Sequence, residues 1–208
     1  GRSVRKELSI GAEARVVLML GGVNPIKGTR EFVDAAVAVL KTHPGTVFLI
    51  AGPIPDQSVR NTVNGLRVYY RKIRNRMPQD HAQCIRFLGV RTDIPKLLAA
   101  SDLLCFPSTV PHFARPVIEA SAMGLPVIAS DLGGPKELVR HEETGFLVPA
   151  GDSRALAAAI RRLIEDDALC EQMGRAGMTF AAEHFDATRN TREVLALYDG
   201  IFHTENMN

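Results

Sequence analysis

Arg15-Val16-Val17-Leu18-Met19-Leu20-Gly21-Gly22 is the stretch on which the architecture turns, an unbroken apolar run that stops at a glycine pair. A strand covered on both faces reads this way, whereas a strand with one wet face alternates. Helical spacing follows from Thr29 to Lys41, with Phe32, Val33, Ala36, Val37 and Leu40 on one face. His43-Pro44-Gly45 ends it. The same pattern continues outward through Thr46–Ala51 (closed by Gly52-Pro53), Ile85–Leu88, Leu103–Phe106, Pro126–Ala129 and Thr144–Val148. Between these runs the spacing predicts helices over 56–80, Ile94–Ala100, Pro116–Met123 and Gly134–His141. Asp152 then caps a helix striped by Leu156, Ala159, Ile160, Leu163 and Ile164, and two more follow over 168–184 and 187–203.

Six apolar runs joined by helices predict an α/β protein, a doubly wound, Rossmann-like six-stranded parallel sheet. A single domain is expected over 1–208, with its core at 15–185 and a terminal helix at 186–208. Ligands bind such sheets beyond the carboxyl ends of the strands, where the strand order reverses. The loops to inspect are therefore those after residues 20, 51, 88, 106, 129 and 148.

Composition narrows the classes. The 208 residues are 46% hydrophobic and 23% charged, with a net charge of +2, so no global attraction to nucleic acid or membrane is expected. Cys84, Cys105 and Cys170 are widely spaced, form no disulfide framework and lack zinc-ligand spacing. Free thiols in a reducing cytoplasm are the expectation. No apolar stretch approaches the roughly 20 residues that span a bilayer. Gly1 in place of Met reads as a piece of a longer chain, a processed product or the scar of a tag.

After the first strand, Gly21-Gly22-Val23-Asn24-Pro25-Ile26-Lys27-Gly28 offers close backbone approach and one compact cation. It follows neither the P-loop nor the GxGxxG pattern, so a plain turn with a solvated lysine and a phosphate-binding turn both remain open. The loop after the fourth strand runs through His112, Phe113, Ala114 and Arg115 into a helix begun by Pro116. Amides of Val117 and Ile118 at that helix start would attract an anion, with Arg115 adding charge. Glu119, one turn in, is either a surface acid or an acceptor for sugar hydroxyls. His112 is either a polar loop residue or a catalyst. A further glycine pair, Gly133-Gly134, precedes Glu137 at another helix start.

Together these segments resemble the donor-binding C-terminal domain of GT-B glycosyltransferases of the glycogen-synthase-like group, glycosyltransferase family 4. The likeness extends from Val16 to the final helix and is most specific from Phe106-Pro107-Ser108 to Gly151-Asp152. It implies transfer of a sugar from a nucleoside-diphosphate donor with retention of configuration, without metal or other cofactor. It further implies that the acceptor half lies in an N-terminal domain outside this chain, which alone would bind donor and transfer nothing. By the same resemblance Lys27 neutralises the diphosphate, Glu119 holds the ribose hydroxyls, and 113–117 line the sugar and phosphates. Leu88, Gly89, Val90 and Arg91 would flank the base; Gly52, Gly133, Gly134 and Glu137 would face the pocket.

Two positions depart from the family pattern. Pro111 stands where the first glutamate of the Glu-x7-Glu motif belongs, and Gly22 where a phosphate-binding arginine belongs. Arg115 is the candidate to replace that cation, which gives Lys27, Arg115 and Glu119 as the catalytic set. The alternatives are a non-catalytic nucleotide-sugar binding module and a nucleotide-sugar epimerase on the same scaffold. Arg60, Arg67, Arg71, Lys72, Arg74 and Arg76 surround Tyr69 and Tyr70. That run is either a solvated helix face or, for a protein peripheral to the membrane's inner face, a contact with anionic lipid. No nucleic-acid motif is present.

Overall fold

A computed structural model describes residues 1–55 and 64–205, with the side chains of residues 64, 200 and 202–205 undescribed. The strands are β1 (Val16–Leu20), β2 (Val47–Ala51), β3 (Ile85–Gly89), β4 (Leu103–Phe106), β5 (Val127–Ser130) and β6 (Gly145–Val148). They form one sheet in the order β3-β2-β1-β4-β5-β6, and every pair is parallel. The helices are α1 (Arg2–Glu7), α2 (Thr29–Leu40), α3 (Asn64–Arg74), α4 (Ile94–Leu98) and α5 (Arg115–Ala122). Chain order continues with α6 (Gly133–Leu138), α7 (Ser153–Glu165), α8 (Asp167–His184) and α9 (Ala187–Glu205).

Every residue of β1, β2, β4 and β5 is buried, as the unbroken runs predict, and the edge strands β3 and β6 are partly exposed. Alternation splits the core in two. Val17, Met19, Phe48 and Ile50 face α2 and α7 through Phe32, Val39, Leu156 and Ile160. Leu18, Leu20, Leu49 and Leu104 face α4 and α5 through Leu97, Leu98, Val117 and Ala120. Asp152 caps α7 by accepting from the amides of Arg154 and Ala155, both at 2.9 Å.

The helix expected over 56–80 ends at Arg74 as α3, two further bounds change, and α1 is unexpected. α1 carries no strong periodicity and is held by tertiary contacts. Arg5 donates to Asp102 (3.0 Å) and to the Ala100 carbonyl (2.9 Å), while Asp102 accepts from the Val16 amide at 2.7 Å. α6 ends at Leu138 rather than His141, because Val139 is extended and His141 pairs with Gly145 beside β6. α5 begins at Arg115, so Pro116 is its second residue.

Candidate functional site

β1 and β4 are neighbours, and the chain leaves them toward opposite sides of the sheet, so their carboxyl ends diverge and open a crevice. A cleft of about 600 Å³ lies there, a size suited to a nucleotide-sized ligand. It is lined by Leu20, Gly21, Ala51, Gly52 and Pro53 at the ends of β1 and β2, and by Val90, Arg91 and Ile94 after β3. Phe113, Arg115, Pro116 and Glu119 after β4 and Lys27 after β1 complete the lining.

Lys27 owes its place to a tightly bonded turn. The Asn24 side chain accepts from the Ile26 amide at 3.1 Å, capping the single 3₁₀ turn Pro25–Lys27. Buried Thr29 donates to the Gly22 carbonyl at 3.0 Å and accepts from the Asn24 amide at 2.9 Å. The aliphatic stem of Lys27 lies along Gly21, where an added Cβ would stand 3.2 Å from its Cγ. Its Nζ lies 2.7 Å from His112 Nε2 and 5.8 Å from the centre of the Phe106 ring. Partial burial pulls its amine below the ordinary lysine range, since desolvation disfavours the charged form.

On the facing helix, Arg115 Nε lies 3.3 Å from Glu119 Oε1, and the two side chains are 79% and 39% exposed. Both therefore remain open to a ligand. The Val117 amide is not free as expected, because it donates to the Ala114 carbonyl at 2.9 Å. Val117 and Ala114 are buried in the core and Ile118 packs against it, so none of the three lines the cleft. Arg91 does line it, but its guanidinium is shared between Glu7 (2.6 Å) and Asp93 (2.8 Å). Those ion pairs hold both carboxyls below their usual range.

Leu88, Gly89, Gly133, Gly134, Glu137, His112 and Gly22 stand outside the lining. Gly133 instead closes on the preceding loop, where an added Cβ would stand 2.6 Å from Pro111 Cβ. Gly22 (φ 70°) presses on the Gly52-Pro53 turn so closely that any Cβ would overlap the Pro53 carbonyl oxygen. An arginine cannot stand there without moving that turn. Leu20, Ala51, Pro53 and Ile94 line the cleft although sequence reasoning passed them over; their apolar character marks them only as strand ends or core.

The basic run is largely engaged within the fold. Tyr69 Oη accepts from the Arg30 amide at 3.1 Å, Arg76 pairs with Asp34 at 2.6 Å, and Arg74 lies over the Phe87 ring. Arg71 and Lys72 are exposed, and Arg60 falls outside the described residues. Among the described residues no group of three or more His, Cys, Asp or Glu is gathered to hold a metal ion. Nor is any described helix long and apolar enough to cross a membrane.

Residues 2–180 match the profile of the family described as "Glycosyl transferases group 1". A phosphatidyl-myo-inositol mannosyltransferase of Mycobacterium leprae is 32% identical over 191 residues, covering 90% of this chain and 47% of that protein. A D-inositol 3-phosphate glycosyltransferase of Jonesia denitrificans is 29% identical over 201 residues, covering 94% and 45%. The crystal structure of Anabaena Alr3699/HepE in complex with UDP-glucose superposes with a TM-score of 0.79 at 29% identity, over 95% of this chain and 52% of that one. The chain thus spans about half the length of the curated relatives it matches.

Proposed function

The chain belongs to the glycosyl transferases group 1 family, and from that membership we propose that it is the donor-binding half of a glycosyltransferase moving sugar from a nucleoside diphosphate to an acceptor. One observation carries the reading. Lys27 from the turn after β1 and Arg115 and Glu119 from the helix after β4 converge on a single cleft at the point where strand order reverses. Two cations and one carboxylate match a diphosphate and a ribose diol in charge and hydrogen-bonding sense. HepE, with its UDP-glucose complex, supports the assignment of the ligand class.

Transfer requires stabilising negative charge on the departing diphosphate. In this reading Lys27 and Arg115 supply that potential; in a water-excluded site one such contact is worth up to about 3 kcal/mol of barrier, and in this open cleft less. Retention of configuration and independence from metal belong to the same proposal. Acceptor groups would come from a second domain, toward which α9 would turn its exposed Leu195, Leu197, Tyr198 and Ile201. A cytoplasmic site of action, with Arg71 and Lys72 touching an anionic inner leaflet, is the corresponding proposal for location. Equal binding to neutral and anionic vesicles would remove the lipid contact.

A second reading, a nucleotide-sugar binding module without turnover, is favoured by Pro111 and by the crowding at Gly22. Thermal shift against a panel of nucleoside diphosphates and their sugars tests the binding claim common to both readings. At least one ligand should raise the melting temperature, and Glu119→Gln should reduce that shift. No response across the panel, or a response unchanged in Glu119→Gln, refutes the site. Turnover by a protein containing both halves separates the two readings.

A further inference from the structure

His112 has a closely defined hydrogen-bond pattern yet stands behind the cleft rather than in its lining. Its Nδ1 lies 3.0 Å from the Val110 carbonyl oxygen and 3.1 Å from Ser108 Oγ. A carbonyl only accepts, so Nδ1 carries the proton. The Ser108 hydroxyl donates to that same carbonyl at 2.6 Å, which leaves its oxygen as a second acceptor for the imidazole N–H. The neutral ring then presents the bare lone pair of Nε2, and this atom lies 2.7 Å from Lys27 Nζ. An ammonium only donates, so the Nδ1–H tautomer is the one that satisfies every contact from Val110 to Lys27.

We propose that His112 is a positioning residue for Lys27: neutral imidazole holds one of the three ammonium N–H groups and leaves two for the diphosphate. The inference rests on the nucleotide-sugar reading of the cleft. Lysine is a point charge on a long flexible stem, and it is useful to a transition state only where something fixes its end. Lys27 forms no carboxylate ion pair among the described residues, and the imidazole holds its amine. The ring is itself held, leaning on Phe106 with centroids 5.2 Å apart. The Gly133-Gly134 backbone at the start of α6 backs the same loop.

The arrangement carries a pH signature. Around the imidazole, Lys27 is the one charged group among the described contacts; Ser108, Val110, Phe106 and the Gly133-Gly134 backbone are neutral. Protonating Nε2 would turn the acceptor into a donor and set two cations against each other. Lys27 would then swing away, and donor affinity would fall in acid.

The test compares the wild-type protein with His112→Ala, which removes the acceptor, and His112→Gln, which offers an amide oxygen that does not titrate. The probe is whichever of UDP, GDP, ADP and dTDP binds most tightly, measured by calorimetry at about pH 8 and again in acid. His112→Ala should weaken binding about tenfold at the higher pH, as expected for one charge-assisted hydrogen bond, and His112→Gln should stay within about threefold. Wild-type affinity relative to His112→Gln should drop several-fold in acid; titration of the ligand's own phosphate cancels in that ratio. Imidazole NMR of the ligand-free protein should show the Nδ1–H tautomer, and melting temperatures check that each variant is folded. The proposal is overturned by equal losses in both variants, by no loss in either, by a ratio that rises in acid, or by an Nε2–H tautomer. If Lys27→Met weakens binding while the His112 variants do not, this inference falls and the proposed function stands. If the wild-type protein binds none of the probes, both fall.

Discussion

Lys27→Met probes the centre of the reading. Methionine keeps an unbranched stem, so the contact along Gly21 survives, and the turn is held by Asn24 and Thr29 rather than by the amine. Stability should therefore change by less than about 1 kcal/mol. Binding should change far more. One unit charge about 4 Å from a phosphate charge is worth about 4 kcal/mol at the effective dielectric near a protein surface and about 1 kcal/mol in bulk water. Lys27 sits half-buried at the edge of an open cleft, between those limits. A loss of about 2–3 kcal/mol, a rise in Kd of about 30- to 150-fold, is the expectation. Calorimetry with a nucleoside diphosphate measures it. The gap between wild type and variant should narrow at about 1 M salt, where the screening length falls to about 3 Å. A change within twofold at low salt, or a gap that ignores salt, would refute the claim that this ammonium meets the diphosphate.

Other consequences follow from the same geometry. Because partial burial lowers the Lys27 amine in the folded state, that state releases its proton first as pH rises toward the ordinary lysine range. The residue's contribution to stability thus improves through that alkaline window, and diphosphate binding, by raising the amine again, should be accompanied by proton uptake within that window. Binding heats that do not depend on the buffer's ionisation enthalpy would contradict this, and Lys27→Met should abolish the dependence. Gly22→Arg, which puts back the side chain the family pattern expects, should lower the melting temperature and fail to tighten nucleotide binding, because its Cβ meets the Pro53 carbonyl. A gain in affinity without loss of stability would show that the turn yields. Arg115→Ala should weaken nucleotide binding by less than Lys27→Met does, since Arg115 is the more exposed of the two cations. Affinity left unchanged would remove Arg115 as the replacement cation.

The sheet was readable from pattern alone because burial on both faces leaves β1, β2, β4 and β5 as continuous apolar runs. α1 was not, since six residues with one buried side chain, Val4, give no period. Its anchor, Arg5 to Asp102, spans 97 positions that no local window joins. Within the cleft, Lys27, Arg115 and Glu119 stood out as charges in strand-end loops. Gly133-Gly134 drew attention for the opposite of their structural reason: small size lets Pro111 and His112 pack on them, and no ligand need approach. Leu20, Ala51 and Ile94 were invisible because an apolar wall and an apolar core are written in the same residues. The bond from His112 to Lys27 joins side chains 85 positions apart and could be seen only once the loops were set side by side.

Gly28 lies so near the loop after β4 that a Cβ on it would overlap the Pro107 carbonyl. The two loops bearing the cation and its anchor are thus in close backbone contact a single residue beyond Lys27. Prising them apart would separate the lysine from the imidazole. On the proposed reading, any widening of the cleft would fall to its other lining residues, such as Val90 and Ile94, while that contact stays closed.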